Sequence, residues 1–332
     1  MLGLSQLYSR KFQKAQMYFP YVYGRQSELR ALQALNATCL GTDKVVPIIE
    51  PVVKKPDDLL RCLGKLGDTG TSVIVILNPD LGDFKDGGAK AWRQSLNPLF
   101  KKYVSLIPSL KCGPKTSSTL VDSFLKAYSK ANSALIYCNS SFGDAEIAAF
   151  ASNEKISTHV FHQGKITAHQ RAMLPSIKTV EITDNFNKQA RNADYSGTEF
   201  LTDRHKTFST SGIGFGDYTI TGSLFQPGGG KPGAVALHSA YRHPGTKDIW
   251  MEHFVSDDVD INTGSAASKY LEAVSKLAAE ITPRVKEFGK NLALEAFVED
   301  HKNAHFPGLG KSKERQIYHH VSVMHDILAG KL

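Results

Sequence analysis

The chain has 332 residues, 41% of them hydrophobic and 22% charged, with a formal net charge of +8. It can therefore bury a large core, and its charge content is ordinary for a soluble globular protein. No stretch approaches the roughly 18–20 apolar residues of a membrane span, which excludes a helical membrane protein.

The opening MLGLSQLYSRKFQKAQ lacks the continuous apolar segment of a signal peptide, so the sequence predicts a cytoplasmic protein with no membrane partner. Its basic balance favours acidic partners, either nucleic acid or a nucleotide. The four cysteines, Cys39, Cys62, Cys112 and Cys138, form no CxxC pair and no metal-ligand spacing. They read as buried small hydrophobes in a reducing compartment, although Cys112 and Cys138 fall near the ends of adjacent strand-like runs.

Eight such runs follow one another along the chain. They are Met17–Tyr23, Val45–Val52, Ser72–Asn78, Leu106–Cys112, Ala134–Asn139, Ser157–Gln163, Thr179–Thr183 and Ile213–Thr219. Helical patterns separate most of them: Ser27–Leu35, Leu59–Leu66, Ala89–Tyr103, Thr119–Lys130, Asp144–Ala151 and Thr167–Met173. Runs such as SVIVIL are apolar on both faces, as in a parallel sheet covered by helices. Eight βα units predict a single α/β domain, a TIM-like (β/α)8 barrel over about residues 15–282. A barrel of this kind takes about 250 residues and carries its active site at the carboxyl ends of the strands.

The alternation breaks after the seventh run. Asp184–Thr210 is long and polar, with short helical potential near Asn187–Arg191, and segments of this length inside a domain are commonly functional. After the eighth run, QPGGGKPG leads to Ala234–Arg242 and Asp248–Ser256, which predict a β-hairpin inserted over residues 226–258 on the catalytic face. The missing eighth helix is then Ala266–Glu280. Two further helices, Arg284–Asp300 and Ser312–Leu328, finish the chain within residues 284–330. QPGGGKPG lacks the Walker spacing and reads as a flexible lid.

Polar groups at the strand ends are the candidates for chemistry: Glu50, Asn78, Lys111, Asn139, His162, Glu181, Asp184 and Asp217. Carboxylates supply general acid or base catalysis, and a lysine neutralises developing negative charge. Glu50 is flanked by apolar residues and is costly to bury without a purpose. Asn78 and Asn139 serve equally as turn or cap residues. If Glu181 points inward, so does Thr183, and Asp184 belongs to the loop. Asp217 sits between Gly214, Gly216 and Tyr218, where glycines allow close backbone approach or a bulge that exposes the carboxylate. It is the leading catalytic candidate, with Glu50 and Glu181 beside it. Arg25 and Lys111 are candidates to hold anionic groups. His238 and His253 face each other across the expected hairpin, with His243 at its turn, and leave room for a divalent metal. His319 and His320 are adjacent on one helix and point apart.

Three groups of segments carry a resemblance: YFPYVYGRQSELRAL with PIIEPV, ITDNFNKQARNADYSGTEFLTDRH with GFGDYTITG, and GAVALHSAYR with MEHFVSD. Together they resemble the beta family of proteins, named for a phage T4-type beta protein. The chain is especially similar to a bacterial branch whose genes often neighbour that of a PD-(D/E)xK-like nuclease. The similarity runs to about Asp258, and its most specific part is the order DNF, RNADY, GFGDY. It implies a setting in mobile elements or phage defence and a nuclease partner, names no reaction, and directs attention to Asp184, Arg191, Asn192, Asp194, Asp217, His238 and His253. The expectation is a hydrolase acting on a phosphate-containing or nucleotide-like substrate, with Asp217 and Glu50 as the acid/base pair. In it, Asn78, Asn139, His162, Asp184, Arg191 and Asn192 join Arg25 and Lys111 on the substrate. A glycosidase-type use of the paired carboxylates is the other chemistry open to it. The competing class is a non-catalytic scaffold that binds a nuclease or nucleic acid.

Overall fold

Eight parallel strands close into a barrel in a computed structural model of the chain, which describes residues 17–210 and 212–332. The opening segment read for a signal peptide lies outside the described residues. The strands are β1 (Met17–Val22), β2 (Ile48–Ile49), β3 (Val73–Ile76), β4 (Leu106–Cys112), β5 (Ser133–Tyr137), β6 (Ile156–His162) and β7 (Thr179–Thr183). After β8 (Thr198–Thr202), which lies outside the barrel, β9 (Gly214–Asp217) closes the ring by pairing with both β7 and β1. Each of the eight predicted runs supplies one barrel strand.

Strand alternation divides the core into two layers. Phe19 and Tyr21 on β1, Ile48 on β2, Ile74 and Ile76 on β3, Ile136 on β5, and Val180 and Ile182 on β7 fill the lumen. Their neighbours Tyr18, Val22, Ile49, Val75, Leu135 and Phe215 pack outward against the helices. On β9 the lumen-facing positions are Gly214 and Gly216. A Cβ on Gly216 would collide with the Phe19 carbonyl oxygen and with Cδ1 of Ile182, so glycine there lets β9 close against β1.

The helices start and stop near the expected positions, with two divisions. The stretch Ala89–Tyr103 breaks into Ala89–Trp92, a 3-10 turn Arg93–Leu96 and Asn97–Lys102, with Pro98 opening the last piece. The stretch Arg284–Asp300 becomes Val285–Phe288 and Leu292–Lys302, separated by Gly289 at φ 76° and capped anew by Asn291, whose side chain accepts from two backbone amides.

The predicted hairpin is present as β10 (Ala236–Arg242) and β11 (Ile249–Val255), and β8 from the long polar stretch joins it as a third antiparallel strand. Helix Ala266–Ile281 covers this small sheet through Tyr270, Val274 and Leu277, not the barrel. The helix that covers the β9/β1 wall is Leu309–Leu328, whose Ile317, Val321 and Met324 share a core with Tyr18 and Phe215. The assignment of the eighth barrel helix to Ala266–Glu280 is therefore corrected. Among the described residues no helix is long and apolar enough to cross a membrane.

Candidate functional site at the barrel mouth

The carboxyl ends of β1, β2, β4, β6 and β7 surround a cavity of about 350 Å³, lined by Tyr21, Glu50, Lys111, Cys138, His162 and Asp184 among others. Glu50 continues the lumen-facing parity of Ile48, and only 2% of it is exposed. An isolated buried carboxylate is costly, and here two donors compensate it. The Tyr21 hydroxyl donates to Oε2 at 2.5 Å, and the Lys111 ammonium donates to Oε1 at 2.5 Å. Lys111 also reaches Oδ1 of Asp80 at 2.5 Å, so one cation bridges two carboxylates. Burial alone lowers its proton affinity, yet Glu50 and Asp80 overcome this and hold it above the ordinary lysine range.

Aromatic rings line the opposite wall. The Tyr218 hydroxyl and Nδ1 of His162 are 2.6 Å apart, while Nε2 of His162 is buried without a partner among the described residues. Burial first, then Lys111 and Lys165, push His162 down to about 4, so it is a neutral imidazole near pH 7. Tyr23 stacks on Tyr218 with ring centres 6.2 Å apart and donates to the Ser223 carbonyl at 2.5 Å. Burial raises both phenols, and Glu50 and Asp184 each add to the rise, which puts both carboxylates within electrostatic reach of these rings. Asp184 is exposed at the rim and accepts from the Ser223 amide through Oδ2. Cys138 also faces the cavity, but burial pushes its thiol up to about 12 and leaves it a poor nucleophile.

Several sequence candidates lie elsewhere. Asp217 shares the outward parity of Phe215, so it points through the wall away from the mouth. There it accepts from Tyr18 at 2.5 Å and from the Thr219 amide at 2.8 Å, and lies 3.2 Å from Nε2 of His320 on the C-terminal helix. Glu181 also points outward, to Arg204 at 2.5 Å and Arg171 at 3.4 Å on the surrounding helices. The structure thus removes both from the cavity, because their strands turn Gly216, Val180 and Ile182 inward instead. Asn78 clamps the Lys111 backbone in both directions at 2.8 Å and is a strut between β3 and β4, not a free ligand group. Asn139 turns the chain after β5 with φ 65°, a left-handed value that asparagine tolerates. Arg191 is exposed and paired with Asp194 at 2.6 Å, and Asn192 donates to the Ala234 carbonyl. Neither reaches the cavity. Arg25 stands at the rim, over Phe225 at 4.5 Å and bonded to the Gln226 carbonyl.

His238 and His253 are cross-strand partners, with Nδ1 atoms 2.8 Å apart. Two nitrogens around one tetrahedral zinc stand about 3.3 Å apart, given ligand distances of about 2.0–2.1 Å. The shorter separation marks a hydrogen bond between the rings. Glu199 extends the chain, 3.3 Å from Nε2 of His253. Among the described residues no group of three or more His, Cys, Asp or Glu side chains is arranged to hold a metal ion.

The residues at the mouth that the candidates omitted are Tyr21, Tyr23, Asp80, Lys165 and Tyr218. YFPYVY carried a signal for two of them, because alternation puts Phe19, Tyr21 and Tyr23 on one face. A larger cavity of about 880 Å³ opens between the outer helices Asn97–Lys102 and Ser118–Ala127, but no carboxylate or histidine lines it. Comparisons with protein-family models and with curated proteins returned no match to this chain.

Proposed function

We propose that this barrel is a hydrolase acting on a phosphate-containing or nucleotide-like substrate at the mouth described above. The acid/base pair is Glu50 with Asp184, in place of the Glu50–Asp217 pair expected from sequence. The observation that carries this reading is the Glu50–Lys111 contact at 2.5 Å, made at the carboxyl ends of two barrel strands inside a cavity. Glu50 is fixed by two donors and still has a lone pair on each oxygen to accept a proton. Asp184 keeps Oδ1 for water activation, and Lys111 with Lys165 faces negative charge as it develops. The tyrosine wall offers a surface for a planar group.

The test is a screen of phosphoesters and nucleotides with and without divalent cations. Glu50→Gln and Asp184→Asn should each lower kcat/KM about 100-fold or more, in the range of lost acid/base catalysis. Turnover that survives both substitutions would overturn the assignment.

A second reading is favoured by β8. Among the described residues this strand pairs only with β11, which leaves its other edge unpaired there, and Phe200 on it is 51% exposed beside Trp250. An open edge with an apolar side chain is a site for strand addition by a partner. The resemblance to the beta family supplies a PD-(D/E)xK-like nuclease as that partner and phage defence as the setting. Co-purification with the nuclease, lost on Phe200→Lys while phosphoester turnover is absent in the parent, would select this reading over the first.

A further inference from the structure

Beside the mouth, two cations from distant parts of the chain bond one loop, and a third on the C-terminal helix lies within electrostatic reach of both. Lys188, in the segment after β7, donates to the Leu224 carbonyl at 3.1 Å. Arg25, just after β1, reaches the carbonyl of Gln226 two residues on, and a Cβ on Gly228 would stand 4.0 Å from its Nη1. Lys313 projects from the C-terminal helix, which packs against the helix Gln26–Leu35 that Arg25 introduces. It is half-buried and, among the described residues, has no hydrogen bond or ion pair within 4 Å. Among the described residues none of the three forms a salt bridge. Burial first holds both lysines below the ordinary lysine range; Lys313 and Arg25 push Lys188 down further, and Arg25 does the same to Lys313 against the opposing pull of Glu28.

The nearby acids offset only part of this charge, Glu28 acting on Lys313 and Asp184 on Lys188, two carboxylates against three cations. Glu28 is fully buried and accepts the Arg25 amide at its own helix start, and Asp184 accepts the Ser223 amide. His238, also within reach of Lys313, is kept neutral by burial and by its His253 neighbour, so it adds no positive charge at pH 7. Three ammonium or guanidinium groups gathered without an ion-pair partner are a costly arrangement in the free protein. A bound oxyanion offsets that cost through charge-assisted hydrogen bonds. The glycines at 228–230 keep the loop free of side chains that would block the approach.

We propose that Arg25, Lys188 and Lys313 form a binding subsite for the terminal phosphate of a phosphate monoester, next to the Glu50–Asp184 mouth. This deepens the hydrolase reading and rests on it for the identity of the ligand. Tyr23 joins the two places, because its ring faces Tyr218 in the mouth and Phe225 under Arg25. A substrate anchored by phosphate at the cations therefore lays its remaining part along Tyr23 toward Glu50.

Calorimetric titration of the full chain with inorganic phosphate at low salt tests the subsite without requiring turnover. The parent should bind, and Lys188→Gln and Lys313→Gln should each weaken binding about tenfold or more, the scale of one charged hydrogen bond. Lys313→Arg, which keeps the charge, should restore much of it, and thermal unfolding of each variant shows that the fold is retained. Glu50→Gln should leave phosphate binding in place. No phosphate binding by the parent, or binding unchanged in the Lys188→Gln/Lys313→Gln double variant, overturns the subsite. Phosphate binding that depends on the lysines, in a protein with no esterase turnover, sustains the subsite and rejects the hydrolase reading alone.

Discussion

Asp217 shows how far a single residue could be read before its neighbours were placed. Its glycine-flanked position was visible, and so was its shared parity with Phe215. Which side of the strand faces the lumen was not, because barrel strands are apolar on both faces. The same parity argument succeeds for Glu50, where Ile48 leads it inward. Lys111 was found as a strand-end cation, whereas its bridging of Glu50 and Asp80 joins positions far apart in sequence. Arg191 was placed by motif alone, and its pairing with Asp194 three residues on satisfies it locally. From these contacts, Asp217→Asn should cost about 1.5–3 kcal/mol of stability, as expected for weakened charged hydrogen bonds to Tyr18 and His320. Activity per folded molecule should persist. Denaturant unfolding beside kcat measurements checks both halves, and loss of activity with stability intact would return Asp217 to the chemistry.

At the level of elements, the strands and most helices were legible because their hydrophobic periods are long and uninterrupted. The strand β8 was missed because TEFLT lies in a polar segment, and only Leu201 and Thr202 of it are buried. Its strand character comes from pairing with β11, which local sequence does not report. The eighth covering helix was misassigned for a related reason. Ala266–Ile281 and Leu309–Leu328 are both amphipathic, and only tertiary contacts decide which one meets the barrel. The seam between β9 and β1 rests on glycine, so Gly216→Ala should destabilise the fold by about 1–3 kcal/mol or more through forced separation of the strands. A lower urea midpoint is the expected result, and an unchanged one would mean that the seam has slack.

Across the whole molecule, buried histidines set the dependence of stability on pH. Burial holds His159, His162 and His319 down at about 4, against 6.5 when unfolded. Their neutral forms are favoured by folding, so this stability is complete above pH 6.5 and is lost as pH falls toward 4. His325 behaves oppositely. Its hydrogen bond to Asp326, with help from Cys39, raises it to about 9, so its contribution is full below 6.5 and disappears as pH rises through 9. The urea midpoint should therefore fall on both sides of neutrality, and His325→Gln should flatten the alkaline side only. A midpoint that climbs between pH 6.5 and 9 in the parent would contradict this.

The Tyr18–Asp217–His320 contact also bears on the order of events during synthesis. The barrel's last strand is translated about a hundred residues before the imidazole that meets its carboxylate. A ribosome-bound chain that has released β9 but not yet residue 320 carries an acid whose final partner does not exist. The strand pairing of β9 with β7 and β1 can form before that point, whereas the Asp217 carboxylate gains its imidazole only when the final helix docks.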